Sequence, residues 1–380
     1  MICCQVASWH FNSSGDNIHK TTSSSRCGDE QEGEYSPRPT LPVRSTPWVV
    51  LPHGRHKQIQ TFFNPIDGSL HHRSIPEMRH RRCLGCSNGW LLIQHDSGEC
   101  FLVSIASMKT VSLPPLLGLP DYPITFTLSP PSSSSDHLDP SGCTAVLVVG
   151  KQIIFCRIHE EEAVAEWTKR KVDGLAFTEC LSGGAAWLNG KLYLDTNDNS
   201  PVVVDFSSPV VSVNMLSSIP MMIYMLIGPV LKQGLRLDEN DDQYVTGLNA
   251  NSIKLLKSTS TYRQTLVESC GEILSVIFFL HRYNDTVIKV EVFKLDISNS
   301  EWERLVTIGN DQAIFVGECG TACTVKDERV EGNCVYFVQP SYDGMRWYKF
   351  SLTERSLSYT LFYPGLRKTW QNSFLAMTAT

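Results

Sequence analysis

The chain has 380 residues, of which 42% are hydrophobic and 19% are charged, so it can fold around a sizeable core. Its 33 Lys and Arg side chains against 39 Asp and Glu give a net charge of −6, which argues against a dedicated nucleic-acid binder. The chain has 13 cysteines, and its N-terminus lacks the charged and apolar regions of a signal peptide. We therefore expect a cytoplasmic or nuclear protein with reduced thiols.

The composition changes near residue 46. Residues 1–45 are rich in Ser, Thr, Asn and acidic residues and have no sustained apolar period, so they are predicted to form a disordered tail. A single folded domain is predicted for residues 46–370, since short apolar runs begin there. The longest apolar stretch, residues 219–231, is too short to cross a bilayer core of about 30 Å. Two buried strands are a better interpretation of that stretch than a membrane span.

Beyond residue 46, short apolar runs alternate with turn residues, which is typical of β-strands. No segment keeps an apolar stripe of helical period for three turns. Ten strands are predicted in this way, at residues 90–93, 101–105, 145–149, 153–157, 192–195, 202–206, 273–279, 287–295, 334–338 and 347–350. The Ser- and Pro-rich segment 129–135 and the acidic segment 238–242 are predicted to be solvated loops, and the latter lacks the spacing of a calcium-binding EF-hand.

A glycine stands before an apolar strand at five places, which are Gly89, Gly150, Gly190, Gly271 and Gly332. The intervals between them are 61, 40, 81 and 61 residues. The interval of 40, and that of 81 as about twice 40, fit a propeller blade of about 40–50 residues. Trp167 and Trp302 each open a further strand, at a place where kelch-like blades bury bulky aromatics between sheets. The pattern predicts an all-β, kelch-like β-propeller of six or seven blades. The alternative is a pair of β-sandwiches with coincidental glycine spacing.

One CxxC motif is formed by Cys83 and Cys86. Three histidines are nearby in the sequence, namely His71, His72 and His80. A structural zinc ion needs four ligands, which usually come from two paired motifs, and no second CxxC occurs in the sequence. Cysteines in a turn beside Gly85 are therefore favoured over a metal site.

The strongest basic cluster combines residues 79–82 (RHRR) with residues 71–73 (HHR). Such a cluster suits phosphates, a nuclear importer or an acidic partner, but a solvated loop is favoured because no aromatic residues are interleaved as stacking platforms. The sequence has no nucleophile elbow, phosphate-binding loop or zinc-protease motif, and residues 309–320 lack the spacing of a dinucleotide-binding loop. No catalytic, cofactor-binding or metal-binding residue is assigned, and the partner-binding residues are left open.

Eight segments follow one another in an order that is more specific than any one of them. They are residues 47–52 (PWVVLP), 82–91 (RCLGCSNGWL), 113–116 (LPPL), 155–157 (FCR) before Trp167, 190–195 (GKLYLD), 266–274 (LVESCGEIL), 290–296 (VEVFKLD) with Trp302, and 332–337 (GNCVYF). Together they resemble the plant KIB-type β-propeller domain, and the resemblance covers about residues 46–365.

This resemblance implies a kelch-like propeller that serves as the substrate-binding half of plant F-box proteins. In that setting an F-box docks on the Skp1-type adaptor of a cullin ubiquitin ligase, while the propeller holds a protein client. Residues 1–45 lack the Leu-Pro opening and the apolar helical ladder of an F-box, so binding of a Skp1-type adaptor is not expected. Either the gene model is truncated, or this member works without the adaptor.

The sequence therefore predicts a protein-interaction propeller in ubiquitin-dependent turnover, with a protein client and with no catalysis, cofactor, nucleic acid or membrane. The rival hypothesis is a propeller enzyme or carbohydrate-binding protein with a polar central pocket. Convergent carboxylates or histidines in the channel favour the rival, whereas a wide rim with exposed aromatic and Arg side chains favours the interaction module.

Overall fold

A computed structural model of the protein describes residues 48–53, 59–64, 66, 68–78, 81–120, 124–130, 140–158, 166–172, 181–196, 201–207, 211–216, 260–281, 287–317, 320–324, 328–341, 344–361 and 374–376. These residues form strands, turns and one short 3-10 helix at Pro76–Met78. Among them no helix is long and apolar enough to span a bilayer. The tail predicted for residues 1–45 lies outside the described residues, so the domain boundary at residue 46 stays a prediction.

The described strands form six sheets, which we number in chain order. Sheet 1 consists of β1 (Trp48–His53), β2 (Ile59–Phe63), β3 (Leu70–Ser74) and β25 (Phe374–Ala376), in the order β25-β1-β2-β3. Sheet 2 consists of β4 (Arg82–Ser87), β5 (Trp90–Gln94), β6 (Cys100–Ser104) and β7 (Thr110–Leu113). Sheet 3 consists of β8 (Thr125–Leu128), β9 (Thr144–Val149), β10 (Gln152–Arg157) and β11 (Thr168–Lys171).

The remaining strands form three more sheets. Sheet 4 consists of β12 (Leu181–Leu188), β13 (Lys191–Thr196), β14 (Val202–Asp205) and β15 (Ser212–Met215). Sheet 5 consists of β16 (Ser260–Ser269), β17 (Glu272–His281), β18 (Val287–Asp296) and β19 (Glu301–Arg304). Sheet 6 consists of β20 (Gln312–Val316), β21 (Gly320–Thr324), β22 (Cys334–Ser341), β23 (Gly344–Ser351) and β24 (Ser356–Leu361), in the order β21-β20-β22-β23-β24.

The architecture is an all-β propeller, as predicted, but its sheets are not uniform. Sheets 1 to 5 have the four-stranded antiparallel form of a regular blade. Sheet 6 has a fifth strand, and its β20 and β22 run parallel. The prediction of six or seven blades is wrong, because the described residues form five regular blades and one irregular five-stranded sheet. The kelch-like character of the blades stays a prediction.

The irregularity of sheet 6 begins where two strands start side by side. The backbone N–H of Asn333, just before β22, donates to the carbonyl oxygens of Gly309 (3.1 Å) and Gln312 (2.8 Å). A Cβ atom on Gly332 would lie only 1.7 Å from the carbonyl oxygen of Asn310. Only glycine permits this approach. Gly332 therefore marks the close approach of the two segments that lead into the parallel strands β20 and β22.

Three of the predicted glycines occupy equivalent turns. Gly89, Gly190 and Gly271 each end a two-residue loop that joins the first and second strands of a sheet. In each loop both residues have a positive φ, since Asn88, Asn189 and Cys270 precede these glycines at 50°, 51° and 52°. Two residues in the left-handed region define the type I′ turn, which matches the twist of a hairpin.

Gly150 is not equivalent to them, which corrects the predicted spacing. It lies in the loop between β9 and β10, the second and third strands of sheet 3. The 40-residue interval from Gly150 to Gly190 therefore compares different turns of two blades. The 81-residue interval from Gly190 to Gly271 separates the first hairpins of sheets 4 and 5, which are successive described sheets, so it does not represent two blades.

The described core residues form six apolar clusters, and each cluster lies between two neighbouring sheets. Five of them join sheets 1 and 2, 2 and 3, 3 and 4, 4 and 5, and 5 and 6. In the sixth, Phe63 at the end of β2 and Ile66 in the turn between β2 and β3 pack against sheet 6. The ring is also closed by hydrogen bonding, because β25 from the C-terminal end of the described chain pairs with β1.

The two tryptophans predicted to fill the spaces between blades differ in burial. Trp302 is buried between sheets 4 and 5 with 9% of its surface exposed, as predicted. Trp167 is half-buried at the outer margin of the cluster between sheets 2 and 3, and its Nε1–H donates to the carbonyl oxygen of Pro114 at 2.7 Å. The prediction of full burial is wrong for Trp167, because it lies just before an outermost strand.

We predict that Trp302→Ala lowers the free energy of unfolding by about 3–5 kcal/mol, because it removes a large aromatic side chain from a packed inter-sheet cluster. Denaturant unfolding measures the change. Glu303→Ala on the same strand is the matched control, since Glu303 is exposed and its truncation should change stability by less than about 0.5 kcal/mol. Equal effects of the two substitutions would contradict the burial of Trp302.

Candidate interaction surface

A cleft opens at the outer part of the junction between sheets 2 and 3. Its volume is about 290 Å³. Its lining residues come from the loop between β7 and β8, from the turn between β9 and β10, and from strands β9 to β11: Gly118, Leu119, Pro120, Val149, Lys151, Gln152, Ile154, Lys169 and Lys171. The cleft therefore lies at the rim of the ring, where a large molecule can reach it.

The floor of the cleft is apolar and belongs to the core. Val149 and Ile154 are buried in the cluster between sheets 2 and 3, and Leu119 packs against the same cluster. The loop that carries Leu119 is fixed to sheet 2, because the N–H of Leu116 donates to the carbonyl oxygen of Gly98 at 2.7 Å. In return, Nε2 of Gln94 donates to the carbonyl oxygen of Leu116 at 2.6 Å. These bonds hold one wall of the cleft in place.

The rim of the cleft is positively charged. Strand β11 has the sequence Thr-Lys-Arg-Lys, and all four of its side chains are exposed. Lys169 pairs with Ile154 and Lys171 pairs with Gln152, so strand alternation places both lysines on the cleft side and Arg170 on the other side. Lys151 in the adjacent turn adds a third ammonium group to the lining. Within the described residues neither Lys169 nor Lys171 takes part in an ion pair.

Strand β11 is also the outermost strand of sheet 3. Its described strand partner is β10, and the sheet order ends at β11. The second edge of β11 therefore faces no strand in the described part of the chain. Such an edge offers backbone N–H and C=O groups to an extended peptide. Together, the cleft and this edge form what we call the β11 surface: the cleft lining given above plus Thr168–Lys171.

The centre of the ring is closely packed where sheets 4 and 5 meet. A Cβ atom on Gly184 would lie 2.9 Å from the backbone nitrogen of Leu266 and 3.0 Å from Cα of Thr265. Asp195 is buried beside Gly184, and its Oδ1 accepts the N–H of Thr196 at 2.9 Å. Among the described residues no three His, Cys, Asp or Glu side chains gather in a metal-binding group.

The CxxC cysteines have a structural position that differs from the predicted turn. Cys83 and Cys86 lie in strand β4, which contains a bulge between Cys83 and Gly85. Both side chains pack in the cluster between sheets 1 and 2. The bulge arises where a Cβ on Gly85 would approach Cβ of Phe126 to 2.7 Å, so the innermost strands of sheets 2 and 3 touch at this glycine.

The two described members of the predicted basic cluster, His71 and Arg81, each make contacts within the fold. His71 lies in β3 and contacts the ring of Trp48 edge-on, with 5.1 Å between ring centroids. Arg81 donates from Nη1 to the carbonyl oxygen of Glu77 at 3.0 Å, and its guanidinium carbon lies 4.8 Å from the centre of the Phe101 ring. The side chains of His72 and Arg73, residues 79 and 80, and the acidic segment 238–242 lie outside the described residues.

The sequence alone does not identify β11 as a binding element. The signal was present, since three consecutive cations (KRK, residues 169–171) follow Trp167 in a chain of net negative charge. The sequence does not reveal that these cations lie on an outermost strand and beside a cleft.

Several thiols are too deeply buried to act as nucleophiles. Burial raises the pKa of Cys100 and Cys156 from 9.0 to about 11, and it raises the pKa of Cys334 from 9.0 to about 12. A raised pKa keeps these thiols protonated at neutral pH, and the thiolate is the reactive form. Cys270, in contrast, is exposed in a hairpin turn.

We predict that iodoacetamide at pH 8 alkylates Cys270 in the folded protein and leaves Cys100, Cys156 and Cys334 unmodified, because the latter three are protonated and inaccessible. Peptide mass spectrometry after short exposure measures the modification at each site. The control is the same protein unfolded in urea, in which all four cysteines should react. Rapid alkylation of any of the three buried thiols in the folded protein would contradict their positions.

Comparison with known proteins gives a family and several distant structural likenesses. The family model described as the KIB1-4 beta-propeller matches residues 62–361, which confirms the resemblance identified in the sequence. No curated protein matches the chain. The chain is similar to the Cps50 (Swd1) β-propeller domain of Myceliophteria thermophila, with 10% identity, 75% of this chain and 87% of that chain covered, and a TM-score of 0.33.

Two further solved structures are similar at the same low level. The WD40 domain of SCAP from fission yeast has 10% identity, with 87% of this chain and 84% of that chain covered and a TM-score of 0.32. BamB from Moraxella catarrhalis has 11% identity, with 84% and 82% covered and a TM-score of 0.29. These likenesses are too weak to support any statement about activity or partners.

Proposed function

Because the chain belongs to the KIB1-4 β-propeller family, we propose that it is a protein-interaction module that holds a protein client. A closed propeller buries its sheet faces and leaves loops, turns and outermost strands as a broad binding surface, which supports this function. We propose further that the client is directed to ubiquitin-dependent turnover, in the cytoplasm or nucleus of a plant cell, as the family resemblance implies.

The observation that carries the proposal is the β11 surface. It combines an apolar floor, a cationic rim and a strand edge at the outside of the ring that no described strand covers. These are the features of a surface that recognises a protein segment, since the apolar part supplies contact area and the charges supply selectivity. An enzyme or carbohydrate-binding protein with a polar central pocket remains the rival from the sequence, and the cleft at the rim favours the interaction module.

We also infer that the five regular four-stranded sheets, sheets 1 to 5, are kelch-like blades. The five-stranded sheet 6 packs against sheet 5 on one side and against Phe63 and Ile66 of the sheet 1 region on the other.

The function is tested by identifying the client. Tagged chain and an unrelated propeller of similar size are expressed in plant cells with the proteasome inhibited, and the co-purified proteins are quantified. We expect a protein that is enriched only with this chain and whose half-life changes when the chain is overproduced or removed. Absence of any such protein, or a half-life that does not respond, would mean that the proposed function is wrong.

We predict that this 380-residue chain does not bind a purified Skp1-type adaptor. Adaptor binding by an F-box needs a helical bundle with a continuous apolar face, whereas residues 1–45 carry scattered apolar side chains and three prolines, Pro37, Pro39 and Pro42, near their end. Biolayer interferometry with immobilised adaptor measures binding, and the same chain with an F-box fused to its N-terminus is the positive control. Saturable micromolar binding by the unfused chain would overturn the prediction.

A further inference from the structure

We propose that the β11 surface binds an extended acidic segment of the client as an added strand, with acidic side chains at positions i and i+2 of that segment. This inference rests on the proposed function and specifies the chemistry of the partner. It follows from three observations that concern the same four residues, Thr168–Lys171: their second edge, which no described strand covers, the alternation of their side chains, and the cleft beside them.

The free edge determines the form of the partner. In an antiparallel pair, the backbone groups of alternate residues point towards one neighbour and those of the residues between them point away from it. Because β11 uses one set to pair with β10, the other set faces outwards along its second edge. An extended peptide satisfies these groups by continuing the sheet, whereas a helix does not. The partner is therefore an extended segment.

The alternation of side chains determines the spacing of charge in the partner. Lys169 and Lys171 point to the cleft side and are separated by two residues, which corresponds to about 6.6 Å along a strand. Side chains on an added strand that face the same way have the same separation, and directly opposite Cβ atoms lie about 4.5–5.5 Å apart. Two carboxylates at i and i+2 can therefore each meet one ammonium group. Carboxylates at adjacent positions would point to opposite faces, so only one of them would reach the lysine pair.

The charge on the strand also determines which occupant is excluded. If a second copy of this chain added its own β11 at the edge, its KRK residues would lie beside Lys169, Arg170 and Lys171, and like charges opposite one another destabilise a pair of strands. An acidic segment gains from the charges that oppose self-association. The net charge of −6 also disfavours binding of long polyanions such as nucleic acid, because they interact with the charge of the whole chain. A short acidic stretch of protein meets only the local lysines.

The test compares two fluorescent peptides of identical composition. One alternates acidic and β-branched residues (Thr-Val-Glu-Val-Glu-Val-Thr), and the other places the two glutamates side by side (Thr-Val-Glu-Glu-Val-Val-Thr). Binding to the full chain is measured by fluorescence anisotropy at low and physiological salt. We expect the alternating peptide to bind more tightly, with an affinity that falls as salt rises. A third peptide, the alternating sequence with its backbone N–H groups methylated at every second residue on the binding edge, should lose binding if strand addition is correct.

Matched protein variants test which face of β11 contacts the acidic side chains of the peptide. Lys169→Gln with Lys171→Gln removes the two cations on the cleft side, and we expect it to weaken binding of the alternating peptide about tenfold, as two charge pairs are lost. Arg170→Gln is the control, because it removes a cation from the same strand on the opposite face and should change affinity by less than about threefold. All three side chains are exposed, so the variants should unfold at the same denaturant concentration as the unmodified chain.

Each contrary outcome has a defined meaning. The inference is wrong if the unmodified chain binds neither peptide, if both peptides bind equally, if methylation has no effect, or if Arg170→Gln weakens binding as much as the lysine pair does. Failure of the inference can be told apart from failure of the proposed function by repeating client capture with the lysine variant. A client that is retained by that variant leaves the proposed function standing and rejects the β11 surface as its site.

Discussion

The stability of this fold depends on burial of both faces of its sheets, which only a closed ring achieves. Sheet 3 shows the requirement clearly. On neighbouring strands, Leu147 and Ile154 pack towards sheet 2, while Val146 and Ile153 pack towards sheet 4. A sheet with two apolar faces would expose one of them at any gap, so the first and last parts of the domain must meet. Pairing of β25 with β1 and packing of sheet 1 against sheet 6 provide that closure. What remains accessible is the outside: turns, connecting loops and the edges of outermost strands.

The same double burial explains which strands the sequence could predict. The ten predicted strands correspond to the second and third strands of sheets 2 to 5 and to β22 and β23 of sheet 6. Each of these strands pairs with another strand on both edges, and its two faces pack against the neighbouring sheets. Such strands therefore appear in the sequence as uninterrupted apolar runs such as 145–149 and 273–279. The innermost strands were missed because they carry glycine and polar residues where backbones approach one another, as at Gly85 and Gly184. Spacing alone also could not show that Gly150 lies in a different hairpin from Gly190, since both follow an apolar strand.

The binding surface was less predictable than the fold, for a physical reason. Local pattern identifies a strand, but whether that strand lies at an edge depends on what the rest of the chain places next to it. The cations at 169–171 are visible in the sequence, whereas their position beside the loop at Gly118–Pro120, about fifty residues earlier, results from packing of two sheets. The basic cluster that the sequence emphasised illustrates the converse. Arg81 is held by Glu77 and Phe101 and contributes to the structure of its own loop.

The structure around the β11 surface also sets the kind of binding it can support. Its loop wall is already fixed, because Leu116 is hydrogen-bonded to sheet 2 and Pro114 accepts a hydrogen bond from Trp167 at the start of β11. A ligand therefore meets a wall that needs little ordering, which favours binding. The lysines, in contrast, are long and exposed, and fixing each of them costs about 0.5–1.5 kcal/mol, which offsets much of an exposed charge pair. The two lysines together thus contribute about a factor of ten in affinity, and they reject segments whose charges are absent or on the wrong face. Backbone pairing along the edge and contact with the apolar floor must supply the rest of the affinity, so a surface of this kind selects its partner by the register of acidic side chains and not by total negative charge.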